Sequence, residues 1–148
     1  EEVPVVGAKA AGVKAINLKD GDQVAAAFKS TTQSMYILTQ RGSLKRMSQD
    51  DIPVTSRAKR GLQVLRELKN KPHRVFKAGP VFTDQGDFDL FTSQEEVGEQ
   101  DQILAITSTT GQVTEVDLTQ LSISERTSNG SFVNDTISDQ EVFSATIK

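Results

Sequence analysis

The chain has 148 residues, enough for one domain or an array of small units with a buried core. It contains no cysteine and one histidine, which excludes disulfides, thiol nucleophiles, cysteine zinc sites and any metal site needing two histidines. Aromatics are 5% with no tryptophan, which argues against base-stacking platforms for single strands, and no apolar run approaches the ~20 residues of a membrane helix. No signal peptide is recognisable, and the opening Glu1-Glu2-Val3-Pro4 reads as the start of a piece cut from a longer chain.

In chain order, Gly12 precedes a first β-like run, Val13-Lys14-Ala15-Ile16, and Val24-Ala25-Ala26-Ala27-Phe28 reads as a second. Tyr36-Ile37-Leu38-Thr39 is followed by a glycine turn at Gly42 and a returning run that carries Lys45 and Arg46. Nineteen positions after Gly42 stands Gly61, with Leu62-Gln63-Val64-Leu65 behind it and Arg74-Val75-Phe76 further on. The same order recurs as Leu104-Ala105-Ile106-Thr107, Gly111, then Gly130 nineteen positions later, Ser131-Phe132-Val133 and Glu141-Val142-Phe143. Pro53, Pro72 and Pro80 fall where strands are expected to end, because proline cannot donate to a ladder.

Units of about four short strands that cannot bury their faces alone describe stacked blades. The expected fold is all-β, with about three blades: a partial blade over about 1–23, a basic one over about 24–72 and an acidic one over about 73–148. The acidic blade carries an excess of 20 positions between Gly79 and Asp101, where Asp84, Asp87, Asp89, Glu95, Glu96, Glu99 and Asp101 accumulate without a lysine or arginine. This reads as an inserted acidic loop framed by a short strand at 88–92, either lying off any anion-binding surface or weakening binding there as a competitor, or else as a solvated connection with no role.

The net charge of −3 hides a division. Residues 1–77 carry 15 basic and 7 acidic side chains, and residues 78–148 carry 2 and 13. Such asymmetry points to a polyanionic partner for one part of the molecule.

The stretch from Val24 to Val75 resembles a blade of the C-terminal domain of bacterial type IIA topoisomerase A subunits. The likeness rests on Asp22-Gln23-Val24, the Tyr36 strand, the Gly42 turn, Lys45-Arg46, and Arg57-Ala58-Lys59-Arg60-Gly61. The opening Ala8-Lys9-Ala10-Ala11-Gly12 run is similar to the second half of a preceding blade, while in the last blade Thr114-Glu115 replaces Lys45-Arg46. The glutamine-arginine-arginine-glycine box of gyrase does not occur, its nearest counterpart being the shorter Lys59-Arg60-Gly61, which by itself does not exclude gyrase from a partial domain; taken overall, the sequence looks more like the topoisomerase IV branch.

The resemblance implies a β-pinwheel, a propeller-like disc whose blades exchange strands and whose outer rim binds and bends duplex DNA. It implies Arg41, Lys45, Arg46, Arg57, Lys59 and Arg60 as the DNA-binding set, with Lys9 and Lys14 extending it and Arg126 contributing little. The partners it implies are the rest of the topoisomerase and its ATPase B subunit. It further implies no membrane, a bacterial cytoplasmic location and membership of an ATP-dependent enzyme. Cationic side chains gain affinity by releasing condensed counterions from duplex DNA, which positions the duplex without reading sequence.

No catalytic set, cofactor or metal is called for. Tyr36 lies in an apolar run without a paired arginine and reads as packing, His73 as a rim residue, and Asp50-Asp51 and Glu95-Glu96 as solvated charges. Asn129-Gly130-Ser131 and Asn134-Asp135-Thr136 are chance matches to the glycosylation pattern. A propeller-type protein-interaction scaffold without nucleic-acid binding remains the alternative, supported by the acidic last blade.

Overall fold

β1 (Ser34–Thr39) and β2 (Ser43–Ser48) form an antiparallel hairpin with Met35 opposite Met47, Ile37 opposite Lys45 and Leu38 opposite Leu44. The turn closes on Gly42, whose φ of 84° is one that L-residues avoid, and its N–H donates to the Thr39 carbonyl at 3.0 Å. β3 (Val75–Val81) flanks β1 on its other side, antiparallel. A register shift between Leu38 and Thr39 leaves Phe76 as the extra residue of a bulge. Pro80, expected at a strand end, lies inside β3, but β3 is an edge strand, where a missing N–H is tolerated. The computed structural model describes residues 14–29, 32–82, 102–133 and 141–147.

The later unit repeats this layout. β4 (Ile103–Ser108) turns at Gly111, with φ 87°, into β5 (Val113–Asp117), and β7 (Val142–Ile147) flanks β4 with a register shift at Thr107/Ser108 that leaves out Phe143. The sheet order is β5-β4-β7. The short strand β6 (Ser131–Phe132) belongs to this unit in sequence but pairs with β2 of the earlier one, with Ser43 opposite Phe132 and Leu44 opposite Ser131. The first sheet therefore reads β3-β1-β2-β6 and is completed by a strand from the next repeat.

All six residues of β1 are buried, because its two faces meet different cores. Tyr36 and Leu38, with Leu44 and Val81, pack against Leu104, Ile106, Val142 and Ala145 of the second sheet and Leu118 of the turn after β5. Met35, Ile37 and Met47 pack on the other side against Leu65 and Val64. Side chains alternate across a strand, so a run apolar at every position is what a sheet covered on both faces requires. Tyr36 is 2% exposed and lies opposite Gly79, where an added Cβ would come within 3.0 Å of its ring. The phenol is a packing residue, and burial raises its pKa.

Among the described residues there is no α-helix, only the 3-10 turns Gln49–Asp51 and Leu118–Gln120. Two expectations need correction. Residues 24–28 and 62–65 form no strand, since neither finds a sheet edge among the described residues. Asp50 and Asp51 are exposed in a 3-10 turn, in keeping with solvated charges. The expected blade boundary after residue 72 falls just before β3, which completes the earlier sheet, and that sheet also takes β6. The run at 8–13, the acidic stretch from 84 to 101 with its strand at 88–92, and Asn134-Asp135-Thr136 lie outside the described residues.

Candidate nucleic-acid interface

Lys45 shares the face of β2 that carries Met47 and stands opposite Ile37, so its side chain enters the core rather than a rim. It is 2% exposed. Its ammonium donates to the carbonyls of Val64, Arg126 (2.6 Å) and Ser128 (2.7 Å), with the Glu125 carbonyl at 3.4 Å. Three protons meeting three good acceptors use the full donor capacity of a lysine. Burial, and then the charge of Arg126, lower its pKa to about 8.

Arg46 points to the opposite face and is half-buried. Its Nε donates to Ser34 Oγ at 2.9 Å, and its Nη1 donates to the carbonyls of Thr119 (3.2 Å) and Leu121 (3.3 Å) in the later unit. The Arg46 carbonyl accepts from Ser124 N–H at 2.7 Å. Lys45 and Arg46, expected on the rim, are instead fixed to the neighbouring repeat, because both faces of β2 are covered.

Arg41 is half-buried at the hairpin turn. Nη1 donates to the Lys71 carbonyl at 2.8 Å and lies 3.2 Å from His73 Nε2, with the guanidinium 5.5 Å from the centroid of the Phe132 ring. Arginine has only donors, so His73 Nε2 accepts and Nδ1 carries the proton towards Thr39 Oγ1 at 3.0 Å. His73 is thus a half-buried link between the hairpin turn and the start of β3, rather than a plain rim residue.

Arg57, Lys59 and Arg60 are exposed. Their backbone is held from behind: Ala58 N–H donates to the Ala15 carbonyl and Asn17 N–H to the Lys59 carbonyl, each at 2.9 Å. Ile16 and Lys59 form a parallel bridge, and Ala58 takes a left-handed φ of 60°. Four further exposed cations, Arg66, Lys69, Lys71 and Arg74, continue this segment, with Glu67 as the one acid among them. The motif did not single them out, although the density of lysine and arginine between residues 41 and 77 contains the signal. Lys77 is half-buried and donates to the Ala145 carbonyl at 2.6 Å. Lys14 is exposed, Lys9 lies outside the described residues, and Arg126 is half-buried with its guanidinium on the Gln63 carbonyl. The described residues contain no group of three histidine, cysteine, aspartate or glutamate side chains placed to hold a metal, and no helix long and apolar enough to cross a membrane.

Two stacked antiparallel sheets, joined by a strand passed from one repeat to the other and edged by an exposed cationic segment, define a propeller-like pinwheel module. The profile of the family described as "DNA gyrase C-terminal domain, beta-propeller" matches residues 1–31 and 33–81, more than half of the chain, and the chain belongs to that family. It is 61% identical over 147 residues to the DNA topoisomerase 4 A subunit of Streptococcus pyogenes serotype M3, covering 98% of this chain and 18% of that protein. Identity to the DNA topoisomerase 4 A subunit of Bacillus subtilis is 42% over 136 residues, covering 91% of this chain and 15% of that protein. The chain thus spans less than a fifth of the length of these curated relatives. The crystal structure of the C-terminal domain of DNA topoisomerase IV superposes with a TM-score of 0.74 at 32% identity, over 99% of this chain and 41% of that one. For the gyrase A C-terminal domain the TM-score is 0.59 at 22% identity, over 93% and 42%, a likeness of fold. The resemblance to type IIA topoisomerase A subunits, on the topoisomerase IV side, and the all-β pinwheel fold both stand on these findings.

Proposed function

We infer that this chain is a non-catalytic DNA-binding and DNA-bending module of the topoisomerase IV A subunit. It acts in the bacterial cytoplasm, beside the remainder of the enzyme and its ATPase B subunit. The observation that carries the reading is the exposed cationic run of Arg57, Lys59, Arg60, Arg66, Lys69, Lys71 and Arg74 on a segment pinned by its backbone. Backbone anchorage leaves the side chains oriented outward, where they exchange condensed counterions for phosphate. No helix is available among the described residues to enter a major groove, so the contacts are to the duplex backbone and its shape, and bending the duplex brings more of its phosphates to the cationic run. In the intact enzyme such a module would deliver or retain a duplex for strand passage, decatenation and relaxation.

Anisotropy of a labelled duplex at 50 and 200 mM salt tests this. With about six phosphates engaged, affinity falls roughly 10³-fold between the two, equally for unrelated sequences. Absence of duplex binding at 50 mM refutes the reading and leaves the protein-interaction scaffold in its place.

A further inference from the structure

Two segments distant in sequence run side by side next to Lys45. Residues 61–66 leave the middle unit, and residues 124–132 arrive from the later unit and end in β6. Arg126 donates across the gap to the Gln63 carbonyl, and Arg66 N–H donates to Asn129 Oδ1 at 2.8 Å. Ser43 Oγ donates to the Asn129 carbonyl at 2.5 Å and ties the arriving segment to β2. The Lys45 ammonium reaches both segments from the floor of β2, through the Val64 carbonyl on one side and the Arg126 and Ser128 carbonyls on the other. These carbonyls lie outside any strand ladder, and a buried carbonyl without a donor is costly.

We propose that Lys45 is a latch that joins the departing and arriving segments of the middle blade, so that the two are held or released together. It thereby sets the position of Arg66 on the cationic edge, as a positioning residue rather than a phosphate contact. The positioning half rests on the DNA-binding reading above; the latch itself does not.

The test is Lys45→Met, which keeps most of the length and removes the donors, in the 148-residue chain. Hydrogen exchange is expected to show amides of 63–66 and of 124–132 losing protection together, by tenfold or more, while the β1–β2 pairs keep theirs. Duplex affinity is expected to fall about tenfold with the log–log salt slope unchanged, whereas Arg66→Ala lowers that slope by about 0.9. Loss of protection in one segment alone overturns the latch. A slope reduced by about 0.9 in Lys45→Met places Lys45 on a phosphate and overturns the positioning role. A parent chain that binds no duplex defeats the DNA reading, while the exchange measurement still decides the latch. Should Lys45→Met fail to fold, the parent's lysine ammonium groups are followed by a ¹H–¹⁵N correlation at pH 6. A slowly exchanging Lys45 ammonium supports the latch, and one exchanging as fast as the exposed lysines overturns it.

Discussion

Gly130→Ala measures what the passed strand contributes. Gly130 and Gly111 both have positive φ, 74° and 87°, so alanine at either carries the left-handed penalty of about 1–2 kcal/mol. At Gly111 an added Cβ meets nothing within 4 Å, and that penalty is the whole cost. At Gly130 it would stand 2.5 Å from the Leu44 carbonyl oxygen and 2.8 Å from both the Leu44 carbonyl carbon and Lys45 Cβ. Backbone cannot swing aside as a flexible side chain does, so the arriving segment has to move away from β2. That movement breaks the Ser43–Asn129 bond and pulls the Arg126 and Ser128 carbonyls from the Lys45 ammonium. Each buried group left without a partner costs about 1–3 kcal/mol, giving about 3–5 kcal/mol for Gly130→Ala against about 1–2 for Gly111→Ala. At about 2–4 °C per kcal/mol, melting followed by circular dichroism should fall by roughly 10 °C in the first and roughly 4 °C in the second. Equal losses in the two variants would refute the argument that the strand is held against β2 by this contact.

Replacing Arg57, Lys59 and Arg60 together by alanine lowers the log–log salt slope of duplex binding by about 2.7 and leaves the melting temperature within about 2 °C, as anisotropy and circular dichroism will show. Tyr36→Ala costs about 3–5 kcal/mol in urea unfolding and Tyr36→Phe about 1 kcal/mol or less, because phenylalanine keeps the ring that fills the core beside Leu38, Leu44 and Val81. Burial and the charge of Arg126 lower the Lys45 pKa to about 8 in the folded chain, below its ordinary value, so between the two the unfolded chain binds more protons and stability rises with pH. Urea midpoints at pH 7.5, 8.5 and 9.5 should climb in the parent and stay level in Lys45→Met. Above pH 10 the raised pKa of Tyr36 reverses the trend, since the unfolded phenol ionises first.

The repeat was legible because its punctuation is physical. Gly42, Gly61, Gly111 and Gly130 all have positive φ, a conformation that side chains penalise, so the nineteen-residue spacing tracks backbone geometry. The strand–turn–strand order of β1–β2 and of β4–β5 is legible in short β-like runs on either side of a glycine turn. Strand exchange did not follow in detail. Ser131-Phe132 is a strand because β2 of another unit offers it an edge, and two residues carry no pairing signal of their own. Residues 62–65 stand at the corresponding place after Gly61, yet form no strand, because no such edge is offered to them among the described residues. Strand formation at these positions depends on the neighbouring blade, a dependence that local propensity cannot express.

The same dependence explains why the burial of Lys45 and Arg46 is hard to read from the basic motif. Lys45 and Arg46 are adjacent lysine and arginine in a cationic region, which as composition resembles a phosphate-binding pair. Their alternation told otherwise: Lys45 falls in phase with Met47 and Arg46 with Leu44, so each shares a face of β2 with an apolar residue. On a sheet with one wet face one of the two would reach solvent. On a sheet covered on both sides neither does freely, and long cationic side chains are satisfied by carbonyls of the adjoining repeat instead. Arg57, Lys59 and Arg60 escape this because their segment makes its contacts through the main chain, to Ala15 and Asn17, which frees the side chains for solvent. The loss of the lysine-arginine pair at Thr114-Glu115 therefore says little about phosphate contacts in the later blade. What that blade lacks at this position is an ammonium able to hold an arriving strand as Lys45 does on β2, and among the described residues β5 is an edge strand of its sheet.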